Sequence, residues 1–504
     1  MAKYKKGFAK SFFCITFIGM EDEEKKIIEG IKAVPKAVDQ EILKDTGIVA
    51  KEIAKDGKFV IDEIEKTPQL IADGVKFLNR PAKFSFKIFL KKLGPGIITG
   101  ASDDDSSGVG TYSSVGAKYQ YQQIWLALYL LPLMTAVQEI CARIGLVTDE
   151  GLAGTVRRHF SKKSLIFVAT LLLIANTINI AADLGAMAAS TQMLISEGSI
   201  FHNFYFLLIA FTLTVVLLEI FIPYKNYAKI LKFLVLSLLA YVVTAFYSHP
   251  DWWEILKQTI VPKVIINKDY IMSMVAVMGT TISPYLFFWQ TSEEIEEHIK
   301  KHLDKDRSKK VELAELADMR EDVFAGMGLA NIIFFFIVIT TATVLFPNGI
   351  TNIESPQQAA EALRPLAGNF SYILFTVGII GTGLLGVPVL AGSSAYAIAE
   401  TMNWNEGLYR KFKNAKGFYG IIAASTIVGL LLNFFGVNPI KALVGAAVVN
   451  GIVAPILLFF IMRISNDKKI MGPFTNGKLT NFFGWTATGL MGIAAILMIV
   501  LMIF

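Results

Sequence analysis

Two apolar stretches of this chain are interrupted by polar, glycine-rich or proline-bearing segments, at the depth where a membrane helix would be crossing hydrocarbon. They are Gly100-Ala-Ser-Asp103-Asp104-Asp105-Ser106-Ser107-Gly108 and Gly279-Thr280-Thr281-Ile282-Ser283-Pro284, each in the first span of its half of the sequence. A bilayer offers no water to satisfy backbone N–H and C=O groups, so non-helical backbone survives there only inside protein or beside a water-filled cavity. Paired breaks at matching places in two halves point to a secondary transporter that binds its substrate near the bilayer midplane.

Composition agrees with a polytopic membrane chain. Hydrophobic residues make up 54% and charged residues 18% of 504, against about 25% charged in soluble domains. Apolar runs of about 20 residues, enough to cross roughly 30 Å, fall near 93–117, 121–145, 164–190, 203–222, 228–248, 270–291, 322–346, 371–399, 417–436, 439–462 and 482–503. Lysine and arginine concentrate in alternate loops: Arg157, Arg158, Lys162 and Lys163; Lys225, Lys229 and Lys232; the Lys300–Arg320 cluster; Arg410, Lys411, Lys413 and Lys416; and Arg463, Lys468, Lys469 and Lys478. The positive-inside rule places these loops, and the N-terminus, in the cytoplasm and the C-terminus outside, in a plasma or inner membrane. These loops also account for the net charge of +6, which therefore gives no reason to expect a nucleic-acid partner. Cys14 and Cys141 are too few for a disulfide framework.

Residues 1–90 read as a cytoplasmic extension. Ile27, Ile28, Ile31, Val34 and Val38 have amphipathic-helix spacing, read as a solvated helical face, with an interfacial helix on the inner leaflet as the alternative. The short apolar run Ser11–Met20 imitates a signal peptide but is followed by Glu21-Asp-Glu-Glu24 without a clear cleavage site.

Asp103, Asp104 and Asp105 carry the strongest chemical signal. A charge at a helix centre costs about 2.5–3.5 kcal/mol on insertion scales, so three of them call for a cation or a cavity. Side chains of neighbouring helical residues point about 100° apart, so convergence on one ion requires unwinding, which Gly100, Gly108 and Gly110 are expected to permit. The competing reading makes the aspartates helix caps or vestibule residues. In the second break, Pro284 cannot continue the hydrogen-bond ladder, and Thr280, Thr281 and Ser283 supply hydroxyls. Carboxylate, hydroxyl and carbonyl oxygens suit hard divalent ions.

Asn176, Asn179 and Asp183 share one face of the third span. Such a stripe looks inward, as a proton or ion route or as interhelical glue, and Asp103 and Asp104 are candidates for the same route. Asn450, set among small residues in the tenth span, is a candidate to reach the site. Glu139 and Glu400 read as interfacial or paired structural charges.

Together these residues resemble the Nramp family of divalent-metal transporters, over about 94–500. Gly94-Pro-Gly96 with Asp105-Ser106-Ser107-Gly108 is similar to the family's opening Gly-Pro-Gly and its Asp-Pro-Gly-Asn metal motif. Ala182-Asp183-Leu184 resembles its Ala-Thr-Asp-Leu-Ala-Glu, Gly279–Pro284 its second metal motif, and Asn466-Asp-Lys-Lys-Ile-Met-Gly472 its last cytoplasmic loop. The resemblance implies an all-α integral membrane protein of the leucine-transporter type, with helices 1 and 6 broken. Ten helices over 91–465 would form two inverted five-helix repeats, about 91–248 and 268–465, with a cytoplasmic loop and an eleventh helix over 466–504.

It also implies a transported metal held by Asp105 with a carbonyl from Thr280, and Asp183 on a proton route; Ser106, Gly108, Ser283 and Asn450 are the further candidates around the metal. The transported ion is the substrate, protons are a candidate partner, no resident cofactor is expected, and oligomeric state is left open. This sequence departs from the family pattern at Ser106 for proline, Gly108 for asparagine, Ser283 for the metal-binding methionine, Tyr285 for histidine and Ala186 for glutamate. Exchanging a thioether for a hydroxyl relaxes selection against hard ions, as in the magnesium-transporting Nramp relatives, and two candidate proton carriers are lost. Mn²⁺/Fe²⁺-type or Mg²⁺ transport by alternating access is the expectation. A sodium-coupled amino-acid transporter on the same fold is the alternative. A Mg²⁺-dependent intramembrane prenyltransferase ranks below both, since Asp103-Asp104 would need a further aspartate where Ser107 stands and no second aspartate-rich motif lies on another span.

Overall fold

The helices start and stop where the sequence supplies caps and breakers. The computed structural model describes residues 95–222, 236–301 and 313–503, all within one compact unit, Phe86–Phe504. The amphipathic extension over residues 1–90 and much of the Lys300–Arg320 cluster lie outside the described residues.

Pro95 begins α1 (Pro95–Asp103), a position where its missing N–H costs nothing. After a two-residue break the first span resumes as α2 (Ser106–Tyr119). α3 (Trp125–Thr148), the short α4 (Leu152–His159), α5 (Lys162–Gln192), α6 (Phe204–Phe221) and α7 (Leu239–Tyr247) complete the first half. A short α8 (Trp252–Ile260), capped by Asp251, leads to the second half. There α9 (Lys268–Thr281) and α10 (Pro284–Lys301) are the two parts of the second broken span. They are followed by α11 (Leu313–Val344), α12 (Ser371–Met402), α13 (Lys416–Leu432), α14 (Pro439–Asn466) and α15 (Lys478–Ile503). Nine helical stretches among the described residues are long and apolar enough to cross a membrane. The first span, interrupted by Asp103, Asp104 and Asp105, is not among them, and the fifth is described only from Leu236 onward.

Burial separates interior from periphery. In the α9–α10 stretch 89% of the apolar window is buried, against 28% for α6 and for α15, so the second broken span runs through the centre and the other two face lipid. α11 packs on both halves of the first span, α12 on α5, and α9 on α14. Glycine permits the closest of these approaches. A Cβ on Gly100 would lie 2.3 Å from the Gly326 carbonyl oxygen, and one on Gly279 would lie 2.2 Å from that of Ala447. This corrects the expectation that Gly100, Gly108 and Gly110 unwind the first span. All three are helical, none has positive φ, and their role is to admit neighbouring atoms.

Candidate metal-ion site

The first break falls at Asp104 and Asp105, the second at Ile282 and Ser283. Asp105 has extended backbone (φ −65°, ψ 178°) and caps α2. Its Oδ1 accepts the Gly108 N–H at 2.8 Å, satisfying one of the orphan donors of a helix start. Its Oδ2 lies 3.4 Å from the Tyr285 hydroxyl, whose shorter bond, 2.8 Å, goes to the Ser102 carbonyl. One oxygen of Asp105 is thus committed to the helix cap, and the other has only the long contact with Tyr285.

The second break sits against it. A Cβ placed on Gly108 would be 3.3 Å from the Asp103 carbonyl oxygen and 3.4 Å from both Thr280 Oγ1 and the Tyr112 ring. Gly108 therefore keeps open a point where both breaks meet. Thr281 Oγ1 donates to the Val277 carbonyl at 2.7 Å, so in its 3.2 Å contact with Tyr112 the tyrosine is the donor. Tyr112 in turn stacks on Phe334 at 4.3 Å. The carbonyl ends of α1 and α9 both face the breaks, and the partial negative charge at helix C-termini favours a cation there.

Asp103, Asp104, Asp105, Ser106, Thr280, Ser283, Asn176, Asn179, Asp183 and Asn450 are all buried. Phe375, Ile379, Ile440 and Leu443 close around Gly110 and Ser113 on the α2 side, leaving a cavity of about 10 Å³, no more than one water can occupy. Elsewhere in the interior, both carboxylate oxygens of Asp104, both of Asp183 and Oδ1 of Asp103 have no hydrogen-bond partner. A buried carboxylate without donors requires a proton, a cation or water.

Other expected site residues point elsewhere. Ser106 Oγ turns to α12, 3.4 Å from the Ile379 carbonyl and from Thr382 Oγ1. Ser283 Oγ donates to its own helix end, at 2.9 Å to Gly279 O and 2.8 Å to Thr280 O. Asn450 Oδ1 accepts from Asn179 Nδ2 at 2.9 Å, which joins α5 to α14. Asn176 Nδ2 donates to Leu390 O, Ser393 Oγ and Ser394 Oγ on α12. Among the described residues no group of three or more His, Cys, Asp or Glu is placed to hold a metal ion. A cation at the breaks would use one or two carboxylates completed by carbonyl and hydroxyl oxygens.

Glu139 is tied to Arg143 at 3.1 Å and Arg320 at 2.9 Å, and Glu400 accepts the Gly154 N–H at 2.7 Å, so both are paired within the fold. Two contacts escaped the sequence reading. Tyr285 registers in the sequence only as a histidine replacement, although its place directly after Pro284 signals a break-lining residue. Asp322, whose Oδ2 accepts the Gly96 N–H at 2.6 Å, is separated from α1 by more than two hundred residues and carries no local signal.

The described helices match a family model, Natural resistance-associated macrophage protein-like (Nramp), over residues 96–501. A divalent metal cation transporter, MntH, of Caldanaerobacter subterraneus subsp. tengcongensis is 26% identical over 403 residues, covering 79% of this chain and 90% of the relative. MntH of Bacillus subtilis is 26% identical over 410 residues, covering 79% and 89%. A manganese transporter of Eremococcus coleocola superposes with TM-score 0.63 at 16% identity, over 82% of this chain and 87% of that one. Mhp1, a nucleobase-cation-symport-1 family transporter, does so with TM-score 0.53 at 12% identity, over 81% and 91%. The fold is therefore the leucine-transporter type, two inverted five-helix repeats with an added eleventh helix and broken first and sixth spans. With a family match over residues 96–501, this multi-pass membrane protein belongs to the Nramp family.

Proposed function

We propose that this chain carries divalent metal cations across the plasma membrane by alternating access, with Asp105 as the charged ligand. The observation that carries the reading is the Oδ2 of Asp105, held only by the 3.4 Å contact with Tyr285 and buried where the two helix breaks meet. The printed names of the relatives, divalent metal cation and manganese transporters, support the same class of substrate. Thr280 offers a hydroxyl and a carbonyl beside the space kept by Gly108, and Ser283, Ser106 and Asn450 supply further oxygens by turning from their present partners. Such a set lacks sulfur and favours Mn²⁺ and Mg²⁺ over softer ions. Asp103, Asp104 and Asp183, with Asn176 and Asn179, provide a polar route for protons or ions through α1 and α5. The N-terminus faces the cytoplasm and the C-terminus the exterior, following the lysine and arginine bias of the loops.

The chain is a transporter and not an enzyme, which sets aside prenyl transfer. Amino-acid symport suits the site poorly, because the unpaired carboxylate oxygens of Asp104, beside the Asp105 carboxylate, repel a substrate carboxylate.

The test is uptake of Mn²⁺ and Mg²⁺ side by side into proteoliposomes carrying an internal pH dye. Mn²⁺ uptake with acidification supports a proton-coupled carrier, and Mg²⁺ uptake without acidification supports hard-ion selection uncoupled from protons. Movement of neither ion overturns the proposal.

A further inference from the structure

Asp105 and Asp183 come from helices 78 positions apart in the numbering, yet they flank one residue of a third helix. A Cβ built on Gly386 of α12 would lie 3.0 Å from Asp105 Cβ and 3.5 Å from Asp183 Oδ2. The next turn repeats the arrangement: a Cβ on Gly383 would meet the Met187 sulfur at 2.4 Å and Ser106 Oγ at 3.3 Å. Two glycines of α12 thus receive Asp183 and Met187, which share a face of α5, and the two residues that open α2. Glycine at 386 lets Asp105 and Asp183 approach α12 more closely than any other residue there would allow.

The chemistry of Asp183 calls for a partner beside it. Asp183 is 0% exposed, and neither of its oxygens has a hydrogen-bond partner. It sits close to the Ser106 hydroxyl and the Ser107 amide at the start of α2, where the helix N-terminus tolerates negative charge. Two ionised carboxylates sharing one buried space repel each other, and a divalent cation between them neutralises both.

We infer that Asp183 is a direct ligand of the transported cation, forming with Asp105 a two-carboxylate clamp seated over Gly386. The inference rests on the reading of the chain as a divalent-cation carrier and adds a second charged ligand to it. A second carboxylate, with no sulfur beside it at the breaks, belongs with hard ions such as Mn²⁺ and Mg²⁺. The loaded clamp is electrically neutral without a proton.

The test is equilibrium titration of the full chain in nanodiscs with Mn²⁺, free Mn²⁺ being read by electron paramagnetic resonance, alongside thermal melting of each variant. Asp183→Asn keeps the shape but removes the charge. It is expected to weaken binding by about tenfold or more, the scale of losing a buried charged partner. Gly386→Ala, which intrudes on the clamp without altering either carboxylate, is expected to weaken it as well, and covers the case in which Asp183→Asn fails to fold. Wild-type affinity in folded Asp183→Asn, or in folded Gly386→Ala, with binding abolished in Asp105→Asn, overturns the clamp and leaves the carrier reading standing. No Mn²⁺ or Mg²⁺ binding by the wild-type chain overturns both.

Discussion

The Tyr285 hydroxyl donates a 2.8 Å hydrogen bond to the Ser102 carbonyl, tying the first turn of α10 to the last turn of α1. One half of each broken span is thereby fastened to the other, and Asp105 Oδ2 is held 3.4 Å from the same hydroxyl.

Tyr285→Phe removes that tie and keeps the ring. It is expected to lower Mn²⁺ affinity by about threefold to tenfold, the scale of one neutral hydrogen bond of ~0.5–1.5 kcal/mol. Titration of the purified variant checks this; unchanged affinity would mean that the breaks hold their spacing without Tyr285.

Ser283→Met acts on selectivity. It deletes a donor that now occupies the Thr280 carbonyl and introduces a thioether at the break, so Cd²⁺ and Fe²⁺ should gain on Mn²⁺. Competition of Cd²⁺ and Fe²⁺ against Mn²⁺ uptake is the readout, and an unaltered profile would show that position 283 does not face the ion.

Gly100→Ala tests the packing of α1 on α11. The added Cβ would sit 2.3 Å from the Gly326 carbonyl oxygen, backbone against side chain with no rotamer to relieve it. Overpacking costs typically about 1–3 kcal/mol, and the melting temperature in detergent should fall. Gly328→Ala, which meets nothing within 4 Å, serves as the control and should melt close to wild type.

The membrane architecture was legible because its signals are local: apolar runs of spanning length, and glycine, proline and aspartate inside two of them. The breaks at Asp104–Asp105 and Ile282–Ser283 fall within the stretches marked by those residues. The site itself was legible only in part. Residue type singled out Ser106, Ser283 and Asn450, but their hydroxyl and amide groups are turned by neighbours on α12, on α9 itself and on α5. The glycines of the first break look like hinges in sequence and act as contact points, because helix packing rather than chain flexibility decides their use. The meeting of Asp105 and Asp183 over Gly386 depends on three helices distant in sequence, and no window along the chain contains it.

Outside the membrane, Glu406 gives a pH signature. Burial, reinforced by the neighbouring Glu400 and opposed by Arg157 and Arg410, pushes its carboxyl from 4.5 up to about 9. The folded state therefore holds a proton that the unfolded chain releases above about 4.5, so this residue's contribution to stability declines as pH rises from there through about 9. Glu406→Gln should raise the melting temperature at pH 8 and have little effect near pH 4.5. A gain of equal size at both values would show that the effect is packing rather than charge.

The most direct test of the central claim is divalent-cation uptake into proteoliposomes by the wild-type chain and by Asp105→Ala, with equal amounts of folded protein. Uptake of Mn²⁺ or Mg²⁺ by the wild type, with loss to the background of empty vesicles in Asp105→Ala, is the expected result. Uptake by Asp105→Ala at the wild-type rate would contradict it.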